Sequence, residues 1–108
     1  MDTAVNMEGT VTCQDDGSWS YTWMWTYAGD ESLSGVKEEF LIKNDSGNVD
    51  YVNEASHSAD AGQTYIGGGN GNNRIPAGQT YWSLRVISGD GYLGIKDGNF
   101  FAATTADN

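Results

Sequence analysis

Between Ser18 and Tyr27 the chain alternates without a break: Trp19, Tyr21, Trp23, Trp25 and Tyr27 fall at odd positions, and Ser18, Ser20, Thr22, Met24 and Thr26 at even ones. A period of two sends successive side chains to opposite sides of an extended strand, whereas a helix would scatter these rings around its circumference. One face of such a strand must be inside, and the row of indoles and phenols is the apolar one. The sequence therefore predicts a central strand with Trp23 and Trp25 fully buried. So many rings crowd a thin core, so Trp19 and Tyr27, at the strand ends, are expected to reach the surface.

The same period recurs along the chain. Val5, Met7, Val11 and Cys13 share one parity in a first strand. Val36, Phe40 and Ile42 do so in a third, which Glu38 interrupts, and Trp82, Leu84 and Val86 in a strand over residues 80–86. Turn signals separate these runs: Asp15-Asp16-Gly17, the hairpin-like Asn44-Asp45-Ser46-Gly47-Asn48 before a returning strand at Val49–Val52, and Gly89-Asp90-Gly91. The polar stretch 54–73 is expected to hold a short strand near Thr64–Ile66, then an exposed loop over Gly67–Asn73 that is either mobile or a contact between subunits. Tyr92–Phe101 forms a last strand or pair. With no helical stripe anywhere, the fold class is all-β: one domain over 1–108, an antiparallel two-sheet immunoglobulin-like sandwich of seven or eight strands.

The segment Ile75-Pro76-Ala77-Gly78-Gln79-Thr80-Tyr81-Trp82-Ser83-Leu84-Arg85-Val86 resembles the turn and penultimate strand of fibronectin type III domains. Thr80, Trp82, Leu84 and Val86 fit that family's parity, with Trp82 where the family usually carries Tyr. The strand around Trp23 and Trp25, and the hairpin that follows it, look like the family's middle strands. The resemblance covers about half the chain and implies a fold, since immunoglobulin-like sandwiches carry unrelated functions.

Charge narrows the partners. Fifteen Asp and Glu against five Lys and Arg give a formal net charge of −10, a field that repels nucleic acid and anionic membranes. Cys13 is the single cysteine, so no disulfide closes within the chain, and its place on an apolar strand face marks it as a buried, inert thiol. No apolar run approaches the ~18–20 residues of a membrane span. The N-terminal Met1-Asp2-Thr3-Ala4-Val5 has none of the basic and apolar regions of a signal peptide.

Catalytic chemistry finds little to work with. His57 is the only histidine and lies in a polar stretch, where it is expected to be solvated. Glu38 and Glu39 are adjacent, so a strand points them to opposite faces, unlike the facing carboxylates of a glycosidase. Gly67–Gly71 carries no phosphate-loop lysine. Zinc would find only Cys13 and His57, and the oxygen-rich Asp45–Asp50 and Asp15-Asp16 lack the spacing of a calcium loop. The chain is expected to be no enzyme and to carry no metal or other cofactor.

Two functional readings remain. The favoured one is a structural protein of phage-decoration character. It would sit on a virion surface and bind capsid or filament subunits, further copies of itself included. Its contacts would run through Phe100, Phe101, Gly67, Gly68, Gly69, Asn70 and Asn72. The alternative is an extracellular carbohydrate-binding module of a secreted protein, stacking sugar rings on Trp19, Tyr27 and Trp82.

Overall fold

The computed structural model describes residues 3–14, 18–43, 49–71, 78–89 and 91–102; of residues 49–52, 71, 78–80 and 101–102 it describes the backbone alone. The expected turn at 15–17, the hairpin loop at 44–48, residues 72–77 and the tail 103–108 lie outside the described residues, as does Asp90.

Seven strands form the domain: β1 (Ala4–Cys13), β2 (Trp19–Tyr27), β3 (Leu33–Lys43), β4 (Val49–Ala59), β5 (Thr64–Gly71), β6 (Gly78–Ser88) and β7 (Gly91–Ala102). They build two antiparallel sheets, of order β1-β2-β5 and β4-β3-β6-β7. This is the all-β two-sheet sandwich that the period-two runs imply, and the final apolar run is one strand of 12 residues rather than a pair.

The odd residues of β2 fill the interior and face Val36, Phe40, Ile42, Leu84 and Val86 from the other sheet. Trp23 and Trp25 are buried as the alternation requires. Trp19 and Tyr27 are buried too, at 2% and 4% exposure, although the crowding argument expected them at the surface. Two features make the room. The rings stack in series, with Tyr21 on Phe40 at 5.3 Å, Trp23 on Phe40 at 5.6 Å and Phe40 on Trp82 at 5.7 Å between centroids. Glycines lie where those rings come closest to a neighbouring backbone.

That second feature corrects the expected loop. Gly67 to Gly71 continues β5 and pairs residue for residue with β2, Trp23 opposite Gly67 and Tyr21 opposite Gly69. A Cβ on Gly67 would lie 2.3 Å from the Trp23 ring, and one on Gly69 would lie 2.5 Å from the Tyr21 hydroxyl. On Gly68 it would meet the Tyr21 carbonyl oxygen at 2.5 Å. The bare backbone is ordered by rings that occupy the space its side chains would have taken. A loop argument based on chain entropy alone leaves out this contact.

β1 carries a second departure. Asn6, with φ of 53°, and Met7 together oppose Trp25, so a bulge lies between Val5 and Glu8. The extra residue shifts the parity, and Ala4 rather than Val5 enters the core.

The two flanks of the sandwich are built differently. On one, the Thr3 N–H donates to the Leu93 carbonyl at 3.1 Å, and Gly94 lies so close to Ala4 that a Cβ would meet it at 2.8 Å. On the other, β4 and β5 meet through side chains, with the His57 and Tyr65 rings 4.7 Å apart.

Candidate functional site

Because the inner positions of β3 and β6, Glu38 apart, are apolar, their alternate residues must line the outer face of the four-stranded sheet. Register sets them in rows. Lys43 of β3 lies beside Tyr81 of β6, which lies beside Asn99 of β7; one row along, Leu41, Ser83 and Asp97 follow. Next come Glu39, Arg85 and Ile95. Lys37 bridges Glu39 at 3.2 Å and Glu54 at 3.8 Å. The hydrogen bond to Glu39, helped by the Glu54 charge, raises the Lys37 pKa.

Within these rows lies a shallow hollow of about 240 Å³, lined by Lys43, Tyr81, Trp82, Ser83 and Asp97. Tyr81 stands 43% exposed beside it. The lining therefore combines the exposed Tyr81 with one cation and one carboxylate, while Ser83 is 3% exposed and its hydroxyl accepts from Arg85 Nε at 3.4 Å. Its volume falls below the roughly 300–1,000 Å³ of sites for drug-sized ligands.

A second constellation lies in the interior, on the flank where β4 and β5 meet. The Glu38 carboxylate, 3% exposed, accepts a hydrogen bond from the Trp25 indole N–H and pairs with His57 Nε2 at 3.2 Å. His57 Nδ1 lies 2.8 Å from the Ser58 carbonyl oxygen. Rings close around it: Trp25 against Tyr65 at 5.1 Å and His57 against Tyr65 at 4.7 Å, while the Tyr65 hydroxyl accepts from the Asp60 N–H at 2.6 Å. Partial burial alone would lower the His57 pKa. Its hydrogen bonds to the Ser58 carbonyl and to Glu38, with the Glu38 charge, outweigh that and raise it. The arrangement joins both sheets through one buried carboxyl group.

The residues singled out by sequence are distributed otherwise. Trp19, Tyr27 and Trp82, the candidate stacking rings, are all buried, Trp82 at 8%, so no flat face of theirs is open to a sugar. The Tyr27 hydroxyl instead donates to the Glu31 carbonyl at 2.6 Å. Phe100 is half-buried against the core, and the Phe101 side chain lies outside the described residues. Gly67, Gly68, Gly69 and Asn70 are strand residues of β5, while Asn72 lies outside the described residues. His57 is no solvated loop residue but part of β4, held by Glu38. Partial burial raises the Cys13 thiol pKa, which suits an inert group.

Sequence reasoning passed over Tyr81, although the signal was there. If Trp82 and Leu84 face inward, Tyr81 and Ser83 must face outward. The Glu38–His57 pairing could not be read, because it depends on β3 and β4 pairing Val36 with His57.

No family model matches this sequence. No curated protein matches it either. Among solved structures the chain is similar to a protein described as a beta-galactosidase from Bacteroides fragilis, with a TM-score of 0.66 and 15% identity over 89% of this chain and 16% of that one. It is also similar to the C-terminal domain of Wzt, with a TM-score of 0.65 and 10% identity over 94% of this chain and 70% of that one. At such identities the likeness is one of fold, and the chain spans about one sixth of the length of the first protein.

Proposed function

We propose that this domain is a non-catalytic glycan-binding module that takes a neutral sugar ring on the outer face of the four-stranded sheet, with Tyr81 as the stacking platform. The observation that carries the reading is the exposed Tyr81 beside a hollow that also offers Lys43 and Asp97. A phenol face matches the C–H face of a pyranose, and the polar groups around it match ring hydroxyls, which both donate and accept. With a net charge of −10, an acidic glycan would be repelled, so the ligand class is a neutral hexose.

The fold supports this reading in a limited way. One neighbour is described as a beta-galactosidase, an enzyme that by its name acts on a sugar. Neither neighbour named above is a capsid protein, so the virion-decoration reading draws no support from them. The non-catalytic part rests on the separation of Glu38 and Glu39: the first is sealed in the core and the second lies on the outer face, bridged to Lys37. Such a module would work outside the cell, where polymeric glycans are met.

The test is a glycan-array screen followed by titration calorimetry, with neutral hexose oligomers, β-galactosides among them. Wild type should bind at least one neutral glycan. Tyr81→Ala should lose that binding while melting like the parent. Failure to bind any neutral glycan, or binding untouched by Tyr81→Ala and Asp97→Ala, would overturn the proposal.

A further inference from the structure

A sheet edge presents a row of unpaired N–H and C=O groups, and proteins usually blunt it with charge, proline or a bulge. Of the four edge strands here, three carry such protection. β1 has the bulge at Asn6 and the charge of Glu8; β4 has Asp50 and Glu54; β7 has Lys96 and Asp97. β5, Thr-Tyr-Ile-Gly-Gly-Gly-Asn-Gly, has no charge and no proline, and it pairs with β2 without a register shift. Among the described residues nothing pairs with its other side.

The free edge has a definite polarity. Tyr27 turns both its amide and its carbonyl toward the β5 side, where they meet Gln63 and Gly62. By the alternation of an antiparallel ladder, the odd residues of β5 then bond to β2. Thr64, Ile66, Gly68 and Asn70 aim their N–H and C=O groups at the open edge. Ile66, second in this row, is 75% exposed. Glycines on either side of position 68 leave no side chain to hold another backbone away.

We infer that β5 is a dimerisation edge: two copies of this chain join antiparallel through Thr64–Gly71 into a continuous six-stranded sheet. The charge pattern selects a second copy. A two-fold axis lays a strand antiparallel against its own copy, so any charged residue on it must be accommodated twice within the new ladder. β1, β4 and β7 would each carry charged side chains into that ladder, whereas β5 carries none. In a chain of charge −10, β5 is the edge strand along which two copies can meet without bringing any charged side chain into the new ladder.

Light scattering across a concentration series, at low and high salt, reads this directly. The dimer fraction should rise with concentration and rise further with salt, which screens the remaining acidic surface. Amide hydrogen exchange on the wild type should show Thr64–Asn70 gaining protection as the dimer forms. Ile66→Lys, which puts a charge on the open row, should remove the dimer. Ile95→Lys, on β7, should leave it intact. A chain that stays monomeric throughout would overturn the inference. So would concentration-dependent protection on β7 instead of β5, or dimerisation undiminished in Ile66→Lys.

Discussion

The indole N–H of Trp25 donates to the carboxylate of Glu38, from the middle of one sheet to the middle of the other. Its neighbour on the same face of β2 is placed otherwise: the Trp23 indole nitrogen is buried without a hydrogen-bond partner. Two buried tryptophans therefore do different things. One satisfies a buried carboxyl group, while the other contributes packing and leaves a donor unmet.

Replacing each by Phe should separate these roles. The cavity cost is similar at both sites, but Trp25→Phe also strips Glu38 of a donor. A buried charged acceptor that loses its partner costs about 1.5–3 kcal/mol. Trp25→Phe is expected to be less stable than Trp23→Phe by about 2 kcal/mol, measured by urea unfolding. Equal midpoints would show that the Trp25–Glu38 bond adds nothing.

His57 sets a pH dependence whose direction is fixed. Its pKa in the folded chain is raised above the ordinary 6.5. The folded state therefore binds its proton more tightly than the unfolded one. The resulting stabilisation is complete below the unfolded value and disappears as pH rises through the folded value. The difference in melting temperature between wild type and His57→Gln should be largest near pH 5.5 and should shrink by pH 9. A difference that stayed constant, or grew with pH, would contradict the Glu38 pairing.

The β5 glycines should be intolerant in a way that surface glycines are not. Gly67→Ala and Gly69→Ala each force a methyl against an aromatic ring already packed on the strand. Each should cost about 1–3 kcal/mol, as overpacking does. Gly89, with no atom within 4 Å of its added Cβ, serves as the comparison. Gly89→Ala should be neutral or stabilise by up to about 1 kcal/mol, because alanine narrows the unfolded ensemble. Chemical denaturation of the three variants in parallel decides the matter.

How much of this was legible in the sequence depends on what kind of fact it was. Alternation fixed the inward faces of β2, β3 and β6, and with them the core, because a one-residue slip would put every ring in water. The same alternation contained Tyr81 as the outward neighbour of Trp82. What stayed hidden depended on pairing between distant strands. The Gly67–Gly71 run reads as a loop until Tyr21 and Trp23 are seen lying over it. Glu38 reads as a flaw in an apolar face until His57 and Trp25 arrive from two other strands. The Asn6 bulge leaves no mark that composition or period would reveal, yet it exchanges Val5 for Ala4 in the interior.

The unequal flanks of the sandwich govern how the molecule breathes. Where β1 lies along β7, peptide groups tie the layers, and parting them would expose a backbone donor and acceptor together. Where β4 meets β5, the layers are joined by the His57 and Tyr65 rings and the carboxyl group behind them, so side chains rather than peptide groups close this flank. Loss of the His57 proton weakens its tie to Glu38, so the exchange of the Trp25 indole proton is expected to report on the opening of this flank.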